Sequence, residues 1–198
     1  MFEKTDNEIL QLFRESDALL RGHFLLTSGK HSEWYFEKIR LIENPAVLDK
    51  IVDRLAEKIR KDGGDFDVVV SPAYGAIAIG FLAALKLGKR FAFTQRAEGA
   101  MDFRSGFAGI DGARVVVVED IMTTGGSIRE VVAALEKRQA AVEGIYVLVD
   151  RTGGEANVDG RPVRGLLSLK VEAFEAAECP LCRSGVSLVK PGASDKKP

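Results

Sequence analysis

The chain has 198 residues, 46% hydrophobic and 29% charged, with a formal net charge of -1. That is enough for one domain, or one domain with a small appendage, and enough to bury a core without staples. The composition excludes collagen-like and wholly disordered chains, and the near-zero charge gives no broad electrostatic pull toward nucleic acid or anionic membrane.

Thr5 with Glu8 three residues on forms a capping box, and Ile9, Leu10, Phe13 and Leu20 give a rough apolar face, so a helix is predicted over 5–20 with Gly22 ending it. His23 to Thr27 and Trp34 to Lys38 read as two short strands around the turn Ser28-Gly29-Lys30, with His31 a solvated loop residue. Asn44 and Pro45 start a second helix, carried by Leu48, Ile51, Val52, Leu55 and Ile59 at helical spacing and closed by Gly63-Gly64. From Asp67 the pattern becomes strand, helix, strand: Val68–Val70, an Ala/Leu-rich helix over 76–87, and Arg90–Thr94. A Gly-rich polar stretch runs over 95–112, followed by the strand Val115–Val118, a helix over 127–138 and a strand over 144–149. Val163 to Val171 adds a strand or two, and residues 190–198 read as a frayed tail. Alternating βαβ units imply an α/β fold with a Rossmann-like parallel sheet flanked by helices.

No apolar run approaches the roughly 18 residues a spanning helix needs. The polar, acidic stretch Met1-Phe-Glu-Lys-Thr-Asp-Asn-Glu8 is not a secretory signal. Two cysteines, Cys179 and Cys182, are too few for a disulfide framework and point to a reducing cytoplasm.

In such sheets ligands sit beyond the carboxyl ends of the strands. The loop leaving Val115–Val118 is the most informative: Glu119-Asp120-Ile121-Met122-Thr123-Thr124-Gly125-Gly126-Ser127. The glycines let backbone N–H groups turn inward, the helix start adds unpaired donors, and Thr123, Thr124 and Ser127 add hydroxyls, together a phosphate cradle. The carboxylates of Glu119 and Asp120 suit ribose hydroxyls or a bound Mg2+ rather than the phosphate itself. The plainer reading is a glycine turn followed by a helix capped by Ser127. No lysine follows the glycines, so this is not an ATP P-loop.

The stretch Val115 to Ser127 resembles the phosphoribosyl pyrophosphate (PRPP) signature of the type I phosphoribosyltransferases. Three further segments resemble the orotate phosphoribosyltransferases: Gly22 to Phe36, similar to their base-binding hood; Ser71 to Gly80, similar to the loop that meets the pyrophosphate; and Val149-Asp150-Arg151, similar to a strand end whose arginine contacts the base. The resemblance implies a small N-terminal hood over 1–40, a PRPP-binding core over 41–175, and a C-terminal segment over 176–198 with the Cys-x-x-Cys and tail. It implies that Glu119, Asp120, Thr123, Thr124, Gly125, Gly126, Ser127, Tyr74 and Arg96 bind PRPP, and that Tyr35, Phe36, Thr123 and Arg151 bind orotate. Physically, a flat pyrimidine carboxylate wants an aromatic wall and a fork of N–H donors. The implied catalytic set is Asp120, Glu119, Arg96 and Arg104, with Mg2+ bridged by PRPP and touching Asp120. The implied partners are PRPP, orotate and a second copy of the chain in a homodimer.

The sequence departs from the commonest family pattern. Thr27 and Gly75 stand where lysines are usual, and Gln95 to Gly106 replaces a lysine-rich mobile loop, leaving Arg96 and Arg104 as its cations. A second bacterial subclass shares the Arg-rich loop and the Cys-Pro-Leu-Cys tail. Tyr74 is either a packing residue or a hydroxyl at the pyrophosphate. The lone Cys179-Pro180-Leu181-Cys182 supplies two of the four ligands a structural Zn2+ needs, so it reads as a tight turn with two thiols, a metal shared across a dimer axis being the alternative. Two other functions fit the PRPP loop: transfer to a different base, and a non-catalytic PRPP-sensing RNA-binding regulator.

Overall fold

The computed structural model describes residues 4–26, 28–62 and 64–191. The chain opens with helix α1 (Lys4–Glu15) and the hairpin of β1 (Leu19–Leu25) and β2 (His31–Phe36). Helices α2 (Ile39–Ile42) and α3 (Pro45–Asp62) lead into β3 (Val68–Pro72), α4 (Ile77–Leu87), β4 (Arg90–Ala97), β5 (Ala100–Phe103) and β6 (Arg114–Met122). Then come α5 (Gly126–Glu136), β7 (Ala141–Asp150), β8 (Asn157–Val158), β9 (Arg161–Ser168), a 3-10 turn at Ala176–Glu178 and α6 (Pro180–Arg183).

The main sheet has seven strands in the order β5-β4-β3-β6-β7-β9-β8. The five central strands pair in parallel, and the two edge strands β5 and β8 are antiparallel. Strand alternation divides the core into two layers. Val68, Val70, Val115, Val117, Ile145 and Val147 meet Ile128, Val131, Val132 and Leu135 of α5 on one face. Val69, Val116, Val118, Tyr146 and Leu148 meet Ile9 and Phe13 of α1, the apolar stripe of α3, and Ile79 and Ala83 of α4 on the other. The continuous valine runs reflect this two-sided burial.

Several boundaries differ from the sequence expectation. Helix α1 stops at Glu15, because Asp17 takes a left-handed φ of 53° and Ala18 N–H bonds back to Phe13 O, while the Ser16 hydroxyl bonds Leu12 O. Gly22 and Leu20 therefore lie in β1, where Gly22 sits in the register break between Arg21 and Phe24. The Thr5 side chain, Thr27, Gly63 and the tail over 192–198 lie outside the described residues. His31 is not a solvated loop residue: it opens β2 and is 5% exposed. The polar stretch over 95–112 contains a hairpin, β4–β5, closed by Glu98 and Gly99 at φ 52° and 88°.

The segment after β9 turns back onto the hood. His31 and Phe174 exchange two backbone bonds of 2.8 Å, Leu25 N–H bonds Val189 O, and Val189 N–H bonds His23 O. Residues 171–191 thus complete the β1–β2 ribbon, which by itself has only two strands.

Candidate active site

Strand β6 delivers Glu119 and Asp120 to the carboxyl edge of the sheet, and alternation sends them to different hollows. Glu119 lines a hollow of about 260 Å³ with Arg96, Thr123, Thr124, Gly125, Gly126, Ser127 and Glu130. Asp120 lines a cavity of about 480 Å³ with Tyr35, Lys38 and Arg151 and with Val171 and Ala173 of the returning segment. Ile121, Thr123 and Thr124 border both, so the two hollows adjoin.

The first hollow is built around the two glycines of the loop. Gly125 has φ 75° and is the N-cap of α5, and a side chain there would collide with Val158 and Met122. Its carbonyl accepts the first helical bond from Arg129 N–H, leaving the N–H groups of the first turn free of intrahelical partners at the positive end of the helix dipole. Ser127 does not cap; it lies inside the first turn with its hydroxyl free of a capping bond. The Arg129 guanidinium braces the loop by donating to Thr124 O at 3.2 Å and to Asp159.

The two carboxylates are buried, and each accepts a backbone N–H: Asp120 N–H to Glu119 Oε1 at 3.0 Å, and Ile121 N–H to Asp120 Oδ1 at 2.6 Å. Burial, reinforced by the charge of Asp120, pushes the Glu119 carboxyl up to about 8. Asp120 Oδ2 faces Lys38 Nζ at 2.6 Å, an ion pair off the line of an aligned hydrogen bond. Burial opposes the Lys38 charge, but Asp120 and then Glu119 outweigh it and raise the ammonium above its ordinary value.

Lys38 is the residue that sequence reasoning missed. A Cβ on Gly75 would overlap Asp120 Oδ2 and lie 2.5 Å from Lys38 Nζ. The ammonium therefore occupies the space beside Gly75, where the commonest family pattern places a lysine side chain. The available signal was the glycine itself, immediately after Tyr74 in a loop at the sheet edge.

The second hollow has the expected aromatic wall in part. The Tyr35 ring stacks at a tilt on Phe24, 5.6 Å between centroids, and burial and then Glu37 raise its hydroxyl above the ordinary value. Phe36 borders the cavity, but its ring is packed edge-on against Phe13 in the core. Arg151 follows the end of β7. Asp150, fully buried, accepts from Thr152 N–H and Oγ1 and from Gly154 N–H, and so shapes the turn that presents Arg151. Burial lowers the Arg151 guanidinium below its ordinary value, and its Nε is buried with no partner among the described residues.

The remaining predicted residues divide. Arg96, on β4, donates to Glu130 of α5 at 2.7 Å and lines the first hollow. Arg104, just after β5, lines neither hollow. Tyr74 is 83% exposed, so its ring is not packed in the core of this chain, and it lines neither hollow. Cys179 and Cys182 lie together with His23 and His31 rather than in a bare turn.

A parallel sheet whose central strand ends in two acids and a glycine cradle defines the class: the Phosphoribosyl transferase domain family matches residues 40–180. The orotate phosphoribosyltransferase of Caldicellulosiruptor bescii is 41% identical over 187 residues, spanning 94% of this chain and 97% of its own. That of Thermoanaerobacter sp. is 40% identical over 185 residues, spanning 93% and 96%. The crystal structure of orotate phosphoribosyltransferase from Aeropyrum pernix has a TM-score of 0.67 at 27% identity, covering 82% of this chain and 94% of that one. The chain belongs to the orotate phosphoribosyltransferase family.

Proposed function

We propose that the protein transfers ribose 5-phosphate from PRPP to N1 of orotate. The bond from the anomeric carbon to pyrophosphate breaks, the bond to N1 forms, the N1 proton is lost, and orotidine 5′-monophosphate and pyrophosphate leave. The observation that carries this reading is the junction at Ile121, Thr123 and Thr124, where a phosphate cradle meets a cavity holding a guanidinium and an aromatic ring. The span suits a ligand with a phosphate at one end and a flat acidic base at the other.

In this reading Thr123 to Ser127 hold the 5-phosphate, Glu119 and Asp120 hold the ribose hydroxyls, and Tyr35 and Arg151 hold the base and its carboxylate. The unpartnered Arg151 Nε supports the last assignment, because a buried donor without an acceptor costs about 1–3 kcal/mol until a ligand supplies one. Positive charge developing on the ribose lies beside the Asp120 carboxylate, so catalysis rests on positioning and preorganised charge rather than on a nucleophilic side chain.

Mg2+ belongs to this reading. Carboxylate oxygens are the donors a hard cation takes, and Asp120 offers one, but its Oδ2 already faces the Lys38 ammonium at 2.6 Å, so the ion would have to take the place of Lys38 there. Asp120 would hold the ion together with oxygens of PRPP, and when bound it supplies charge neutralisation for the departing pyrophosphate. Arg96 adds a protein cation at the cradle. We also read the enzyme as a homodimer in which Arg104 serves the neighbouring site, and place it in the cytoplasm, where two cysteines not joined by a disulfide suit a reducing medium. Among the described residues no helix is long and apolar enough to cross a membrane.

The direct test mixes the protein with Mg2+, PRPP and orotate and follows orotate absorbance. A fall that requires all three components supports the reading. No fall with orotate, with turnover of a purine base instead, overturns the base assignment.

A further inference from the structure

The strongest feature outside the active site is a cluster of four soft donors drawn from two distant parts of the chain. His23 of β1 and His31 of β2 face Cys179, the N-cap of α6, and Cys182 within its single turn. Their ligand atoms all lie within 4.8 Å of one another. The individual spacings are 2.9 Å from His23 Nε2 to His31 Nδ1, 3.5 and 3.7 Å from His23 Nε2 to Cys179 and Cys182 Sγ, and 3.3 Å from His31 Nδ1 to Cys182 Sγ. We propose that these four residues form a structural zinc site, with one Zn2+ held by two nitrogens and two thiolates of the same chain.

Four of the six ligand pairs have spacings close to those of a tetrahedral shell, and all six lie within 4.8 Å. Bonds of about 2.0–2.1 Å to nitrogen and about 2.3 Å to sulfur put N···S pairs roughly 3.5 Å apart and N···N pairs roughly 3.3 Å apart. The three N···S spacings bracket the first value, and the N···N spacing is a few tenths of an ångström inside the second. His23 has its outer contact in place: Nδ1 donates to Val186 O at 2.8 Å, which fixes the tautomer that leaves Nε2 with its lone pair toward the cluster. Backbone bonds hold the ligands' frame, since His23 O accepts from Val189 N–H and His31 is paired with Phe174. Two thiolates neutralise the ion, so a buried site carries no net charge, and four protein ligands leave no position for substrate water. This disposes of the objection that one Cys-x-x-Cys supplies half a site; the other half comes from the hood, and no dimer axis is needed.

The test uses the full chain purified without metal-affinity steps. Elemental analysis is expected to find zinc equimolar with protein. Replacement by Co2+ is expected to give the intense visible bands of a tetrahedral ion together with a thiolate charge-transfer band. Cys182→Ser and His31→Gln are expected to lose most of the zinc. Cys182 is exposed at the surface, so its variant is the one expected to stay folded, which circular dichroism checks. Chelation of the parent with Mg2+ kept in excess is expected to lower its melting temperature. The proposal is overturned if the folded parent, refolded with Zn2+, holds no stoichiometric metal and both thiols react freely. It is equally overturned by an octahedral Co2+ spectrum, by a Cys179–Cys182 disulfide in the reduced-purified protein, or by full zinc retention in Cys182→Ser.

Discussion

The Lys38–Asp120 pair gives the sharpest quantitative prediction. Lys38→Met keeps the hydrocarbon stem and removes the ammonium, leaving Asp120 Oδ2 buried and facing no cation. Breaking a fully buried pair costs about 3–5 kcal/mol and an exposed pair contributes about 0.2–1 kcal/mol. Here the carboxylate side chain is 6% exposed but the lysine is 41% exposed, so solvent screens half of the interaction and the expected cost is about 1–2 kcal/mol. For a chain of this length that is a fall of about 2–8 °C in melting temperature. Asp120→Asn removes the charge from the other side with little change of shape. The assay is urea unfolding of the parent, both single variants and the double variant at neutral pH. The double variant is expected to be less destabilised than the sum of the singles by about 1–2 kcal/mol, with most of that coupling surviving added salt because the carboxylate is buried. Additivity within about 0.5 kcal/mol would refute the argument that Lys38 neutralises Asp120.

Four further outcomes are expected. Asp120→Asn should lower turnover at least about tenfold, or 1.4 kcal/mol of barrier, with the far-ultraviolet circular dichroism unchanged; equal steady-state rates would remove Asp120 from the site. Arg151→Ala should raise the KM for orotate more than that for PRPP, and equal losses would contradict a base-reading arginine. Gly75→Ala should lower both stability and turnover, since its methyl displaces Asp120 and Lys38; a fully active, equally stable variant would show that the pair is free to move. The raised Glu119 carboxyl binds its proton more tightly in the folded than in the unfolded chain, so its contribution to stability is present below the ordinary value of 4.5 and is lost as pH rises through about 8. Glu119→Gln should therefore be more stable than the parent at about pH 9, with the gain shrinking toward about pH 5, as read from urea midpoints; a gain independent of pH would contradict the buried-charge account.

What the sequence made legible followed from local pattern. Val68–Val70 and Val115–Val118 could hardly be anything but strands covered on both sides, and the Gly125-Gly126 pair after two acids marked the loop that opens α5 before any fold was known. The turn at Glu98-Gly99 was missed because Glu-Gly is a weak signal for a two-residue hairpin turn, where Asn or Asp before Gly is the strong one. The end of α1 was missed because Asp17 takes the left-handed position that glycine usually marks. Lys38 and the His–Cys cluster were invisible for a different reason: their partners are chosen by tertiary approach. Lys38 meets Asp120 only because Gly75 leaves room, and His23 meets Cys179 across 156 positions of chain. No periodicity carries such information.

The return of residues 171–191 onto β1 and β2 has a consequence for how the molecule is made. The β1–β2 ribbon lacks the backbone partners that Phe174 and Val189 supply until that distant segment has been synthesised. The chamber that Val171 and Ala173 help to wall is thus closed only after strands β3 to β9 have had their chance to fold. A nascent chain stalled before Phe174 would keep its valine-rich sheet and have an unfinished lid.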